Sequence, residues 1–284
     1  MRFIVLSLTI CFLLVSQTLN AQEQTIELKE VVVKGKKETT PTDTVVPLDE
    51  AATGIPADAA DFLRDINGVS GIRMGGHGID PIIRGQSQTR LNILLDGAYI
   101  HGGCPNRMDP PTAYSAMESY DSVTIIKSSQ TVRYGGGGSG GTVLFQRKPP
   151  RFGPDKNYLI RLDTGYKSNS DTKELSADVA AGSKWGYIRG IVGYKDADNY
   201  EDGDGNEVRS AFTNQAGNLI LGYTPDQNKT LELNLEATRE EDALYAGAGM
   251  DAPKSDADNV RLKYNQHIRS KPATDGPVRY GQPI

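Results

Sequence analysis

From Pro149-Pro150 onward the chain alternates apolar and polar residues with a period of two. Tyr158, Ile160, Leu162, Thr164 and Tyr166 interleave with Arg161, Asp163 and Gly165, and Leu175, Ala177 and Val179 with Ser176 and Asp178. Leu231, Leu233 and Leu235 alternate with Glu232, Asn234 and Glu236. Successive side chains of a strand point to opposite faces, so each run predicts a strand apolar on one side and polar on the other. With further strands near 186–194 and 215–223, five are expected. Aqueous sandwiches alternate as well, but here the connections add information. Ser183-Lys184-Trp185 and Thr224 to Asn228 are tight, whereas Lys195 to Ser210 and Glu240 to Asn259 read as long loops. Outer-membrane barrels have short periplasmic turns and long outer loops, and that parity sets 196–207 and Met250 on the exterior. Asp202-Gly-Asp-Gly-Asn206 has part of a calcium-loop spacing, but Glu207 stands where the glycine belongs, so it reads as a solvated hairpin tip.

The preceding hundred residues follow another rhythm. Ala59, Phe62, Leu63 and Ile66 have helical spacing, and Gly68 stands at the stop. Leu91-Asn-Ile-Leu-Leu95 predicts a strand closed by the Asp96-Gly97 turn, Asp109-Pro110 opens a helix before Ala113 and Met117, and 123–126 is another strand. The result is a small α/β domain over 46–149. Residues 22–45 are polar and rich in Thr, Lys and Glu, except for Leu28-Lys-Glu-Val-Val-Val-Lys34. That patch fits capture by a partner's sheet edge and fits equally the first strand of the domain behind it.

The N-terminus bounds the compartment. Arg2, an apolar run from Phe3 to Val15 and a polar stretch ending at Ala21 read as a secretory signal peptide over 1–21. Leu19 is a poor match to the small residue such sites prefer, and Gln22 in place of cysteine implies no lipid attachment. No later segment approaches the roughly 18 apolar residues of a spanning helix. A net charge of -5 argues against nucleic acid as a partner. There is no P-loop, no zinc-type His/Cys spacing and no Gly-x-Ser-x-Gly elbow, so the chain is not read as an enzyme.

The chemistry that stands out is Cys104-Pro-Asn-Arg-Met108. Beyond Cys11 of the leader, Cys104 is the only cysteine, so it has no internal disulfide partner. Thiolate and thioether are soft donors that select Cu(I), and residues four apart share a face if the run is one helical turn. Pro105 fits a first helical position. The bland alternative makes Cys104 a small buried hydrophobe and Met108 a gap filler. Neighbouring His101, Gly102, Gly103, Pro110 and Pro111 do not form a core pattern. A cysteine nucleophile assisted by His101 would lack an orienting third group.

Ile83-Arg84-Gly85, then 90–97, then Tyr134 to Gly141 leading into Thr142-Val-Leu-Phe145, resemble the plug of TonB-dependent outer-membrane receptors. The resemblance implies an α/β plug domain followed by antiparallel β-strands of an incomplete outer-membrane β-barrel over 150–284, since about 22 strands are needed for closure. It makes the chain a fragment, located in the bacterial outer membrane. Glu30, Val31, Val32 and Val33 are similar to a TonB box, which implies a TonB-type energy-transducing partner. His101 to Pro111 resembles the copper receptors of the family, where a CxxxM element of the plug binds copper with an HxM element of the barrel. Copper ion is then the transported substrate, held by Cys104 and Met108. No His-x-Met occurs here: His77, His101 and His267 are followed two places on by Ile79, Gly103 and Arg269. Met250 is therefore not carried over as a ligand. The rival expectations are a receptor for a siderophore or other metal chelate, and an exported β-rich binding protein without transport.

Overall fold

The computed structural model describes residues 43–47, 58–104, 108–114, 119–127 and 132–266. The signal-peptide assignment, the Glu30 to Val33 patch and the segment beyond Gln266 lie outside the described residues.

The first sheet of the plug has the order β1-β7-β8-β5-β6, from Asp43–Pro47, Ser122–Ile126, Gly141–Gln146, Leu91–Leu95 and Ala98–Tyr99. Only the β5–β8 pair is parallel. β2 (Val69–Arg73), β3 (Ile79–Ile83) and β4 (Gln86–Ser87) form a second, antiparallel sheet. The domain boundary drawn at 45/46 cuts through β1, whose two valines are too short a run to announce a strand. Helix α1 (Ala59–Leu63) is short, and Gly68 beyond it has φ +79°. Asp58 caps α1 by accepting from the N–H groups of Ala60 and Asp61 at 2.9 Å, while its other oxygen accepts from Ile79 at 2.7 Å. One carboxylate thus starts the helix and ties it to β3. Phe62, Leu63, Ile83, Ile93, Val123, Val143 and Phe145 are buried in one cluster between these layers.

The resemblance motifs acquire physical roles. Arg84-Gly85 (φ +50°, +77°) and Asp96-Gly97 (φ +51°, +85°) are the central residues of two-residue hairpins, Ile83 pairing with Gln86 and Leu95 with Ala98. Both positions need positive φ, which is why Gly stands second in each. The glycine-rich run packs its backbone on neighbouring strands: a Cβ at Gly140 would lie 2.3 Å from that of Gln86.

The wall is a single meander ordered β16-β15-β14-β11-β10-β9, from Met250–Gln266, Lys229–Tyr245, Phe212–Asp226, Gly186–Ala197, Thr172–Ser183 and Tyr158–Lys167. Among the described residues six wall strands form, one more than predicted. The loop expected over 240–259 is a correction: β15 runs on to Tyr245, only Ala246 to Gly249 turn, and β16 begins at Met250. Lower turns are tight at 184–185 and 227–228. The opposite end carries the connection 198–211, which includes the hairpin of β12 (Tyr200–Glu201) and β13 (Glu207–Val208). At its tip Asp202 accepts from the N–H groups of Asp204 and Asn206 at 2.9 Å, as a solvated turn.

The outer face of the wall exposes Ile160, Leu162, Val179, Val192, Leu219, Leu235, Val260 and Leu262. Tyr166 and Tyr194 border this band above, and Tyr158, Trp185, Tyr223 and Tyr264 below. An apolar band between aromatic girdles is the lipid-facing surface of a transmembrane barrel. Its upper edge slants. Following the register from Tyr166 through Lys173, Asp196, Thr213 and Glu241 leads to Lys254, yet on β16 the band starts only at Val260. That offset of six residues is about 20 Å along a strand, over five strand spacings totalling about 24 Å. Lipid must meet a level edge, so the strands tilt by about 40°, the inclination that barrel closure requires.

The inner face is polar and meets the plug. Glu232, Asn234, Glu236, Thr238 and Glu240 of β15 are all buried. Arg147, just past β8, donates to Glu236 at 2.8 Å and to Ser119 at 2.9 and 3.1 Å, with its guanidinium 4.4 Å from the centre of the Tyr120 ring. Asp96, in the β5–β6 turn, receives Lys263 Nζ at 2.6 Å and lies 3.7 Å from Arg261. Charges too costly to bury alone are tolerated here because each meets a partner.

Candidate metal centre

Cys104 and Met108 are both half-buried. Residues 105–107 between them lie outside the described residues, so the expected single helical turn is not described. What is defined is how the flanks are held. Asp109 Oδ2 accepts the Gly103 N–H at 2.6 Å, both carboxylate oxygens lie 3.1 Å from the Cys104 nitrogen, and the Tyr114 hydroxyl donates to Oδ2 at 2.5 Å. Burial, reinforced by that hydrogen bond to Asp109, pushes the Tyr114 phenol up to about 12. The predicted helix after Asp109-Pro110 is a 3-10 turn over Pro111–Tyr114.

Met108 packs against Ala197, Phe212, Ala243 and Tyr245, and Met74 packs on the same patch. Those wall residues sit at the ends of β11, β14 and β15 that carry the long connection, so Met108 lies at the upper end of the plug. The loop 74–78 threads between this site and the wall. A Cβ at Gly78 would come 2.1 Å from the Met108 carbonyl oxygen, and one at Gly76 1.8 Å from that of Ser210. In the same loop His77 Nδ1 lies 2.9 Å from Glu240, and its ring is 5.1 Å from that of Phe212. Burial alone would lower the His77 pKa, but the Glu240 carboxylate, by charge and hydrogen bond, and Asp58 beyond it raise it above the ordinary imidazole value. His101 is exposed and rests on Tyr99 at 4.5 Å. Met250 is exposed at the upper end, as the turn parity predicts.

Among the described residues no three His, Cys, Asp or Glu side chains gather as a metal-binding group. The candidate donors are therefore the sulfurs of Cys104 and Met108, with the Met74 thioether on the same patch as Met108. Asp109, Met74 and His77 were missed in the sequence. Asp109 precedes a proline and reads as a helix start, and Met74 and His77 sit among glycines where no periodicity marks them.

Residues 36–142 match the family model of the TonB-dependent Receptor Plug Domain, and the structure superposes on a solved copper transporter, OprC, with TM-score 0.71 and 39% identity. The chain belongs to the TonB-dependent receptors. The superposition covers 79% of this chain and 34% of OprC. A mutant of the ferric enterobactin receptor of Pseudomonas aeruginosa shares the receptor fold at TM-score 0.60 and 14% identity, over 81% of this chain and 39% of its own. A hemoglobin and hemoglobin-haptoglobin-binding protein of Haemophilus ducreyi is 27% identical over 196 residues, 62% of this chain and 20% of that protein. The chain thus spans about a fifth to two fifths of the length of the relatives it matches. Its plug and six wall strands are those of an outer-membrane receptor, and the receptor's location is the outer membrane.

Proposed function

We propose that this chain is the N-terminal part of a receptor that imports copper across the outer membrane. Cys104 and Met108 are the contacts for the ion, and Glu30 to Val33 engage a TonB-type protein that supplies the energy. No reaction is catalysed in the chain. The observation that carries the reading is the Cys104-x-x-x-Met108 pair at the upper end of the plug. It is supported by 39% identity to a copper transporter. Thiolate and thioether suit Cu(I), whereas hard cations prefer oxygen.

Charge supports the same cargo. The connection 198–211 carries Asp198, Glu201, Asp202, Asp204 and Glu207 against one base, Arg209. An acidic rim raises the local concentration of cations and repels anionic ferric chelates. The second reading, an iron-chelate or haem-protein receptor, is favoured by the names of the 14% and 27% identical relatives, but it leaves two sulfur donors without a task.

The test is binding to the purified full-length receptor in detergent, with Cu(I), a ferric catecholate and haemoglobin offered in parallel. Saturable Cu(I) binding that disappears in Cys104→Ser and Met108→Leu is expected. Tight binding of chelate or haemoglobin, with Cu(I) binding unaltered by both substitutions, would overturn the reading.

A further inference from the structure

We propose that Asp109, one residue beyond Met108, is a positioning residue for the metal loop: its carboxylate fixes the backbone on which Cys104 stands. The inference rests on the copper reading above and adds to it a residue that donates nothing to the metal. Three donors converge on this carboxylate: the N–H of Gly103 at 2.6 Å, the N–H of Cys104 at 3.1 Å and the hydroxyl of Tyr114 at 2.5 Å. Contacts of an ionised acceptor are the stronger class of hydrogen bond. They join positions five and six residues apart, so the Gly103-Cys104 flank is held to the Met108-Asp109 flank by one side chain. Each flank carries one of the sulfur-bearing residues, Cys104 and Met108.

The neighbours are built around the clamp. A Cβ at Gly102 would come 2.3 Å from the Asp109 carbonyl oxygen and 2.8 Å from Oδ1. Only glycine lets the backbone lie this close to the aspartate. Two adjacent glycines would otherwise leave the loop with more freedom than any other pair. Binding an ion to a loose loop requires ordering it first, and a loop held in shape beforehand binds more tightly for the same contacts. Asparagine cannot replace the aspartate, because its amide would turn N–H groups toward one of the N–H donors it must accept. Nor does the carboxylate serve as a ligand in this arrangement. It is a hard donor, poorly matched to Cu(I), and its oxygens already accept from the three groups named.

The experiment uses the full-length receptor in detergent, with Cu(I) as the probe in competition with a chromophoric chelator. Wild type is compared with Asp109→Ala, Asp109→Asn, Tyr114→Phe and Cys104→Ser, and hydrogen exchange at the Gly103 and Cys104 amides is followed without metal. Loss of a residue that orients ligands typically weakens metal binding about 10- to 100-fold. That loss is expected for Asp109→Ala and Asp109→Asn, with a smaller one for Tyr114→Phe. The two amides should lose protection in the aspartate variants while the thermal midpoint stays put, a combination that a purely structural role would not give. Wild-type affinity in Asp109→Ala beside a loss in Cys104→Ser overturns the positioning role and leaves the copper reading intact. Wild-type affinity in Cys104→Ser overturns the copper reading and with it the metal role of Asp109. Amides unprotected in the wild type overturn the clamp itself.

Discussion

The Arg147–Glu236 pair offers the sharpest test of how plug and wall are joined. Its side chains are 2% and 5% exposed and meet at 2.8 Å. Removing one partner of a buried pair destabilises by about 3–5 kcal/mol, because a charge is left without its counterpart. Here Arg261 lies 3.9 Å from the other oxygen of Glu236 and takes up part of the deficit. We expect Arg147→Met to cost about 3 kcal/mol, the lower end of that range. Glu236→Leu should cost less, since the guanidinium keeps Ser119 and the Tyr120 ring. Joining both substitutions removes the stranded charge, so the double variant should be more stable than the sum of the singles predicts. A coupling of about 1.5 kcal/mol or more is expected for groups in direct contact. Hydrogen exchange at the β8 amides of Leu144 and Phe145 in the full-length receptor reads these opening free energies directly. Strict additivity, with coupling below about 0.5 kcal/mol, would refute the claim that this contact holds the plug.

Gly141 has φ +146° and a Cβ there would lie 2.9 Å from the Ile126 carbonyl oxygen, whereas a Cβ at Gly136 meets nothing within 4 Å. Gly141→Ala should therefore cost about 1–3 kcal/mol and Gly136→Ala stay within about 0.5 kcal/mol, both read by the same exchange experiment; equal effects would contradict the packing described. The folded pKa of His77 is raised, so its ion pair stabilises fully below the ordinary value of about 6.5 and that contribution is lost as pH climbs through the folded value. The melting temperature should fall over that upward pH step and the slope should vanish in His77→Gln; a slope shared by both proteins would sink the assignment to His77. Val179 lies in the apolar band on the lipid face, and Val179→Arg should weaken folding into bilayers by about 2–4 kcal/mol, a loss that refolding titrations would detect or exclude. Deleting Glu30 to Val33 should abolish uptake and leave Cu(I) binding intact; uptake at the wild-type level would remove the TonB-box assignment.

The wall was legible where lipid imposes alternation and illegible where it does not. On β16, Leu262 and Tyr264 carry the signal, but Asp251, Lys254, Asp256 and Asp258 lie above the slanting edge of the band, where a strand has no reason to be apolar. Hence 250–259 reads as a loop although all of it except Pro253 pairs with β15. In the plug, Asp96-Gly97 and Arg84-Gly85 were legible because positive φ restricts the residue types allowed. The candidate metal loop was half legible. Cys104 and Met108 announce themselves by chemistry and spacing, while Asp109 acts through backbone N–H groups, which leave no trace in a sequence.

The proposed route carries copper through the donors on this plug. Uptake of radioactive copper by cells lacking other copper receptors, supplied with the full-length receptor or its Cys104→Ser, Met108→Leu form, tests it most directly. Energy-dependent uptake by the wild type that falls to background in the variant is the predicted result; equal copper uptake by both would contradict it.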